Sequence, residues 1–197
     1  MRVILVSAPY LSLYGSSRQA VGHYFPLGLG YLAAVLEKHN FPVELVVESA
    51  GVDVFHVLRQ KLGQDRCLFV GISPMSSSYP QAVKLAGLVR EMAPGTPTVL
   101  GGPHAIAARA SILREQPEFD FRCLGEREWT TLELARQLAG ESTIPKGLCA
   151  FRQKLTDKWG VPGTTGNYRN CAIIHSTPWN VWRSPPQKGT FQGSSIT

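Results

Sequence analysis

The 197-residue chain has no apolar run approaching the roughly 20 residues that a membrane-spanning helix needs. Its opening run, Val3–Val6 behind a single arginine, is too short for a secretory leader and is followed by no small-residue cleavage site. A cytoplasmic protein with no membrane partner is expected. Its four cysteines (Cys67, Cys123, Cys149 and Cys171) form no Cys-x-x-Cys, so neither a zinc site nor a disulfide framework is legible. Cys67 and Cys123 stand in apolar runs, where a small buried thiol is the ordinary reading. There is no Gly-x-x-x-x-Gly-Lys-Ser/Thr loop and no Gly-x-Ser-x-Gly elbow. Gly28-Leu29-Gly30 falls inside a helical stretch and Ala33 stands where a third glycine belongs, so it is not a dinucleotide loop. No histidine–carboxylate group has metal-ligand spacing. No residue is assigned as catalytic and none as a metal ligand.

The net charge of +6 suggests a polyanion partner until its distribution is considered. Residues 1–150 carry 14 Lys and Arg against 13 Asp and Glu, whereas residues 151–197 carry six basic residues and only Asp157. The basicity belongs to the last segment, and the first 150 residues do not read as a nucleic-acid binder. Those 150 residues alternate apolar β-type runs with amphipathic helical stretches. Strands are expected at Arg2–Ser7, Val43–Val47, Cys67–Ser73, Thr96–Leu100 and Phe119–Leu124, and helices at Leu27–His39, Val54–Leu62, Pro80–Met92, Ala105–Glu115 and Glu128–Ala139. Five strand–helix repeats imply one α/β, doubly wound, flavodoxin-like unit: a five-stranded parallel sheet in the order 2-1-3-4-5 with helices on both faces. Residues 151–197 are rich in Gly, Pro, Ser, Thr and Asn, hold three of the four tryptophans and show no sustained period, so an irregular tail is expected there.

In an open α/β sheet, ligands bind beyond the carboxyl ends of the strands. The loops at those ends are Ser7-Ala8-Pro9-Tyr10, Phe25-Pro26-Leu27-Gly28, Ser73-Pro74-Met75-Ser76-Ser77-Ser78, Gly101-Gly102-Pro103-His104-Ala105 and Gly125-Glu126-Arg127-Glu128. Glycines there let a ligand approach the backbone, and serines offer hydroxyls without bulk. Each piece also has a plain structural reading. Gly101-Gly102 serves as a tight turn, Ser76–Ser78 as a helix-capping loop, His104 as a surface histidine, and Glu126 and Glu128 as acids at a helix start.

Taken in order, the loops resemble four blocks of the cobalamin-binding domain that precedes the catalytic half of cobalamin-dependent radical S-adenosylmethionine proteins. The segment Phe25-Pro26-Leu27-Gly28-Leu29-Gly30-Tyr31-Leu32-Ala33 is similar to the first block, and Val70-Gly71-Ile72-Ser73 with its serine-rich sequel to the second. Gly101-Gly102-Pro103-His104-Ala105 is similar to the third; Gly125-Glu126-Arg127-Glu128 resembles the fourth, with Arg127 in place of a glycine. The resemblance implies a cobalamin whose corrin rests over the strand ends and whose nucleotide tail lies beside the sheet, near Ser73 and the Gly101-Gly102 pair. It implies cofactor contacts from Pro9, Leu27, Gly28, Ser73, Met75, Ser76, Gly101, Gly102, Pro103 and His104, with the amides of Gly125 and Glu126 holding a polar edge of the corrin. The Asp-x-His-x-x-Gly motif that ligates cobalt in other cobalamin proteins is not matched. Asp53-Val54-Phe55-His56 has the wrong spacing, and Arg59 follows where a glycine belongs. Cobalt is thus expected without a protein imidazole beneath it, although His23 and His104 are neighbours to consider.

The Cys-x-x-x-Cys-x-x-Cys motif of the family's catalytic half is absent, so no iron–sulfur cluster is expected on this chain. The reading is cobalamin binding without turnover, with a separate radical S-adenosylmethionine protein as partner, and with residues 151–197 as the ending that a truncated or frameshifted gene would leave. Two readings from other classes stay open. One is a doubly wound enzyme such as a nucleotide-sugar transferase, for which Asp120 and Glu126 are the carboxylates on offer. The other is a flavodoxin-like interaction module, which would want acids at the strand ends.

Overall fold

The computed structural model describes residues 1–11, 13–15, 24–49, 52–107, 118–123, 127–141 and 148–150. The expected tail, the loop residues Gly125 and Glu126, His23 and the later part of the Ala105–Glu115 helix lie outside the described residues. Five strands are parallel: β1 (Arg2–Ser7), β2 (Val43–Val46), β3 (Cys67–Ser73), β4 (Thr98–Leu100) and β5 (Phe121–Cys123). They lie in the order β2-β1-β3-β4-β5, as the strand–helix alternation implies. A short strand that sequence reading missed, β6 (Leu148–Ala150), pairs antiparallel with β5, Arg122 opposite Cys149.

The helices form where periodicity and end chemistry agree. In α1 (Leu27–Lys38), Leu29, Leu32, Ala33 and Leu36 are buried at helical spacing, and Asn40 leaves the helix at a φ of 64°. In α2 (Val54–Leu62), the Asp53 carboxylate caps the first turn by accepting from the backbone N–H groups of Phe55 and His56 at 2.9 and 3.3 Å. That role accounts for Asp53 without a metal. Helix α3 (Tyr79–Met92) carries Pro80 in its first turn, where no intrahelical N–H is lost. Helix α4 begins at Gly102, three residues earlier than expected, and is described to Ala107; α5 runs over Arg127–Leu138.

Strand alternation sorts the core into two layers. Ile4, Val6, Val70, Ile72 and Leu100 pack with α2 and α3 on one face. Val3, Leu5, Phe69, Val99, Phe121 and Cys123 pack with α1 and α5 on the other. Both faces are covered, so the central strands are apolar throughout. Among the described residues, no helix is long and apolar enough to cross a membrane.

Candidate functional site

Side-chain size falls along the α1/α5 face of the sheet toward the carboxyl ends of the strands. In β1 the sequence on that face is Val3, Leu5, Ser7; in β3 it is Phe69, Gly71, Ser73. Register pairs Ser7 with Ser73 and Leu5 with Gly71. Val99 of β4 lies beside Gly71 and Phe121 of β5 beside Val99, and two residues further on come Gly101 and Cys123. The last row of this face is therefore Ser, Ser, Gly and Cys. The opposite face stays bulky to its end, with Val6, Ile72 and Leu100. On the α1/α5 face, close packing fails where the small residues stand. There a cavity of about 520 Å³ opens between the sheet and the two helices. This is within the roughly 300–1,000 Å³ of ordinary ligand pockets.

Leu5, Phe69 and Val99 line the bottom of the cavity, Leu29 and Leu32 of α1 and Thr131 of α5 its outer wall, and Ser7, Ser73, Gly101 and Cys123 its upper sheet side. Tyr10, Tyr14, Tyr24 and Phe25 form its mouth, and Tyr24 is 74% exposed. Large exposed aromatics gathered at one opening mark a binding surface. No Asp, Glu, Lys, Arg or His is among the described lining residues. The polar groups that face the space are hydroxyls and a thiol, so it suits an uncharged, flat, largely apolar ligand portion with a few hydrogen-bonding atoms.

Backbone contacts hold the surrounding loops. The amide of Gly101 donates to the carbonyl of Ile72 at 2.9 Å, and that of Ala8 to Ser73 at 3.3 Å. Gly102 takes a φ of 77°, and a Cβ there would stand 2.6 Å from Ser73 Oγ and 2.8 Å from the Pro74 carbonyl oxygen. This glycine is demanded by the chain itself, because the β4–α4 turn sits against the β3–α3 loop. Gly101 differs: a Cβ there would meet only the Ile72 carbonyl at 3.9 Å. Ser78, expected as a helix cap, instead turns its hydroxyl to the backbone of Met75 and closes the loop before α3. Glu48, just beyond β2, accepts from the amides of Tyr10 and Leu11 at 2.7 and 2.9 Å, and the Tyr10 hydroxyl accepts from the amide of Tyr24 at 3.4 Å.

Of the candidates read from sequence, Gly28, Ser73, Met75, Gly101, Gly102 and Pro103 come together around this cavity. Pro9 is buried beside it without lining it, and Leu27 is 69% exposed on the outside of α1. Ser76 and His104 are turned away and engage each other, Ser76 Oγ to His104 Nδ1 at 3.1 Å. The His104 ring stacks on Tyr79 with centroids 4.1 Å apart. Burial, and then the nearby Arg122 guanidinium, push its pKa below the ordinary value. Sequence reasoning missed the tyrosines at the mouth and the apolar bottom. The alternating size taper in β1 and β3 was the available signal for the bottom.

Comparison with known proteins decides which ligand chemistry this arrangement belongs to. The model of the B12 binding domain matches residues 17–135, more than half of the chain. The chain belongs to the B12 binding domain family. Curated relatives include the cytidylyl-2-hydroxyethylphosphonate methyltransferase of Streptomyces wedmorensis, 35% identical over 59% of this chain and 25% of that protein. The anaerobic magnesium-protoporphyrin IX monomethyl ester cyclase of Rubrivivax gelatinosus is 25% identical over 68% of this chain and 24% of its own length. An uncharacterised methyltransferase of Pyrococcus horikoshii is 29% identical over 80% of this chain and 34% of its own. The chain thus spans about a quarter to a third of the relatives that it matches.

In this B12 binding domain, the cavity opens at the strand ends between the sheet and α1/α5, and its uncharged lining suits the aromatic end of a cobalamin's nucleotide tail. No group of three or more His, Cys, Asp or Glu that could hold a metal ion occurs among the described residues. The B12 binding domain also uses Asp120 structurally: its carboxylate accepts from the backbone N–H of Thr98 at 2.9 Å and from the Thr98 hydroxyl at 3.1 Å. Asp120 is absent from the cavity lining, which leaves the transferase reading without that carboxylate.

Proposed function

We propose that the cavity takes the nucleotide tail of a cobalamin and that the corrin lies over the strand ends against Tyr10, Tyr14, Tyr24 and Phe25. One observation carries this reading: a row of Ser7, Ser73, Gly101 and Cys123 leaves an uncharged space at the carboxyl edge of a domain of the B12 binding family. Ser73 and Ser7 would hydrogen-bond the tail, Gly101 would leave it room, and Gly28, Met75 and Pro103 would border its path; all six line the cavity. The amides of Gly125 and Glu126 are assigned to a polar edge of the corrin from the sequence blocks. No residue of this chain is assigned as a cobalt ligand in this reading, because the Asp-x-His-x-x-Gly motif is unmatched.

When bound, the cofactor supplies methyl-group transfer, the chemistry implied by the radical S-adenosylmethionine resemblance and in keeping with two relatives named as methyltransferases. Residues 1–150 act as the cofactor-holding unit of such a cytoplasmic system. The radical step belongs to a radical S-adenosylmethionine unit outside it.

The test is an absorption spectrum of the purified chain after incubation with hydroxocobalamin and removal of free cofactor. Near-stoichiometric corrin bands are expected, displaced from those of free hydroxocobalamin because the tail's benzimidazole has left cobalt for the cavity. A chain that is folded by circular dichroism yet colourless would overturn the reading and bring the other α/β enzyme classes forward.

A further inference from the structure

We infer that Leu5 and Gly71 together set the depth of the cavity, and with it which nucleotide bases of a corrinoid the domain accepts. The inference rests on the reading that the tail enters this cavity. Leu5 and Gly71 are register partners on neighbouring strands, and both line the space. Gly71 is the one residue of its row without a side chain, flanked by Leu5 and by Val99. Leu5 uses that gap: its Cδ2 lies 2.8 Å from where a Cβ on Gly71 would stand, closer than real Cβ contacts allow. The leucine is thus parked sideways over the glycine instead of reaching up into the cavity.

The backbone does not demand this glycine. Its φ is outside the left-handed region, and the atoms that a Cβ would meet are side-chain ends, Leu5 Cδ2 and Phe69 Cε2 at 2.8 and 3.7 Å. Gly102 is the contrast, since there the obstruction includes backbone atoms and φ is positive. A methyl added at Gly71 must therefore displace the Leu5 side chain. Leu5 belongs to the packed core and Gly71 is buried beside it, so the free volume open to the displaced group is the cavity. The occupant selected by depth is an uncharged heteroaromatic base, because no charged side chain is among the described lining residues.

Affinities of the purified chain are measured for cobalamin, for cobinamide, which lacks the nucleotide, and for cobamides with smaller and larger bases. The wild type is expected to prefer cobalamin to cobinamide. Gly71→Ala should weaken cobalamin about tenfold or more and leave cobinamide unchanged, since one methylene in an apolar pocket is worth roughly 10–200-fold. Adding Leu5→Val to Gly71→Ala should restore most of the loss, and Leu5→Val alone should shift preference toward the bulkier base. Equal weakening of both corrinoids by Gly71→Ala, or no weakening, overturns the inference. So does a wild type that binds cobinamide as tightly as cobalamin, although cobalamin binding itself would then stand. A wild type that binds neither corrinoid overturns the proposed function as well. If Gly71→Ala does not fold, Leu5→Val decides by itself: an unchanged preference among bases overturns the inference.

Discussion

Glu48 is the residue whose part in the site is least visible in the chain order. Its carboxylate binds two amides 37 and 38 residues away and so fixes the chain at Tyr10 and Leu11, beyond the end of β1. Hydrogen bonds from backbone amides to a carboxylate are charge-assisted and among the stronger ones in proteins. Glu48→Ala should cost about 1–2 kcal/mol of stability, measured by denaturant unfolding, and weaken cobalamin binding, with Glu48→Gln recovering part of both. Cys67 is a different case, since it does not line the cavity. Its thiol donates to the Phe69 carbonyl at 3.0 Å, and burial pushes its pKa from 9.0 up to about 11. The proton is held more tightly in the folded chain than in the unfolded one, so this stabilisation is complete below pH 9 and lost as pH rises from about 9 to 11. Cys67→Ala should flatten the fall in melting temperature across that window. The buried Cys123 was legible from its apolar run, and Cys67, expected buried as well, is only half-buried; the Glu48 contacts were not legible, because no local pattern reports a partner so distant.

At the scale of elements, the β4–α4 turn separates two adjacent glycines that look alike in sequence. Gly102→Ala places a side chain at positive φ against backbone and should cost roughly 1–3 kcal/mol, a drop of several degrees in melting temperature. Gly101→Ala should leave the melting temperature within a degree or two and act on cobalamin affinity instead, since its Cβ meets one carbonyl at ordinary contact distance. A calorimetric scan and a corrinoid titration of the two variants check the pair. The long elements were readable from sequence: β3 from its uninterrupted apolar run, α1 from the spacing of Leu29, Leu32, Ala33 and Leu36, and α2 at the limits Val54–Leu62, though its Asp53 cap was not. The short ones were not. β6 has three residues and exists through its pairing with β5, a contact that no periodicity in Leu148–Ala150 encodes.

For the whole molecule, strand order puts the site where the chain changes direction across the sheet. The chain runs from β1 to β2 on one side and then crosses to β3 on the other, so the loops after β1 and β3 diverge and leave a crevice between them. Ser7 and Ser73, register partners at that boundary, stand at the cavity's upper edge. By itself the sequence determined the architecture, because parallel strands with short crossovers admit few orders and one hand, and it determined the family, because four loop blocks recur in sequence. Only the tertiary structure decided which loop residues share one space. It set Gly101 against the cavity and Gly102 against the neighbouring loop, and it turned His104 away onto Tyr79. It also brought in Tyr10, Tyr14 and Tyr24. A strand end exposes two faces, and which face is open depends on how far the helices on each side stand from the sheet. Packing across strands sets that distance, and no single segment of the chain contains it.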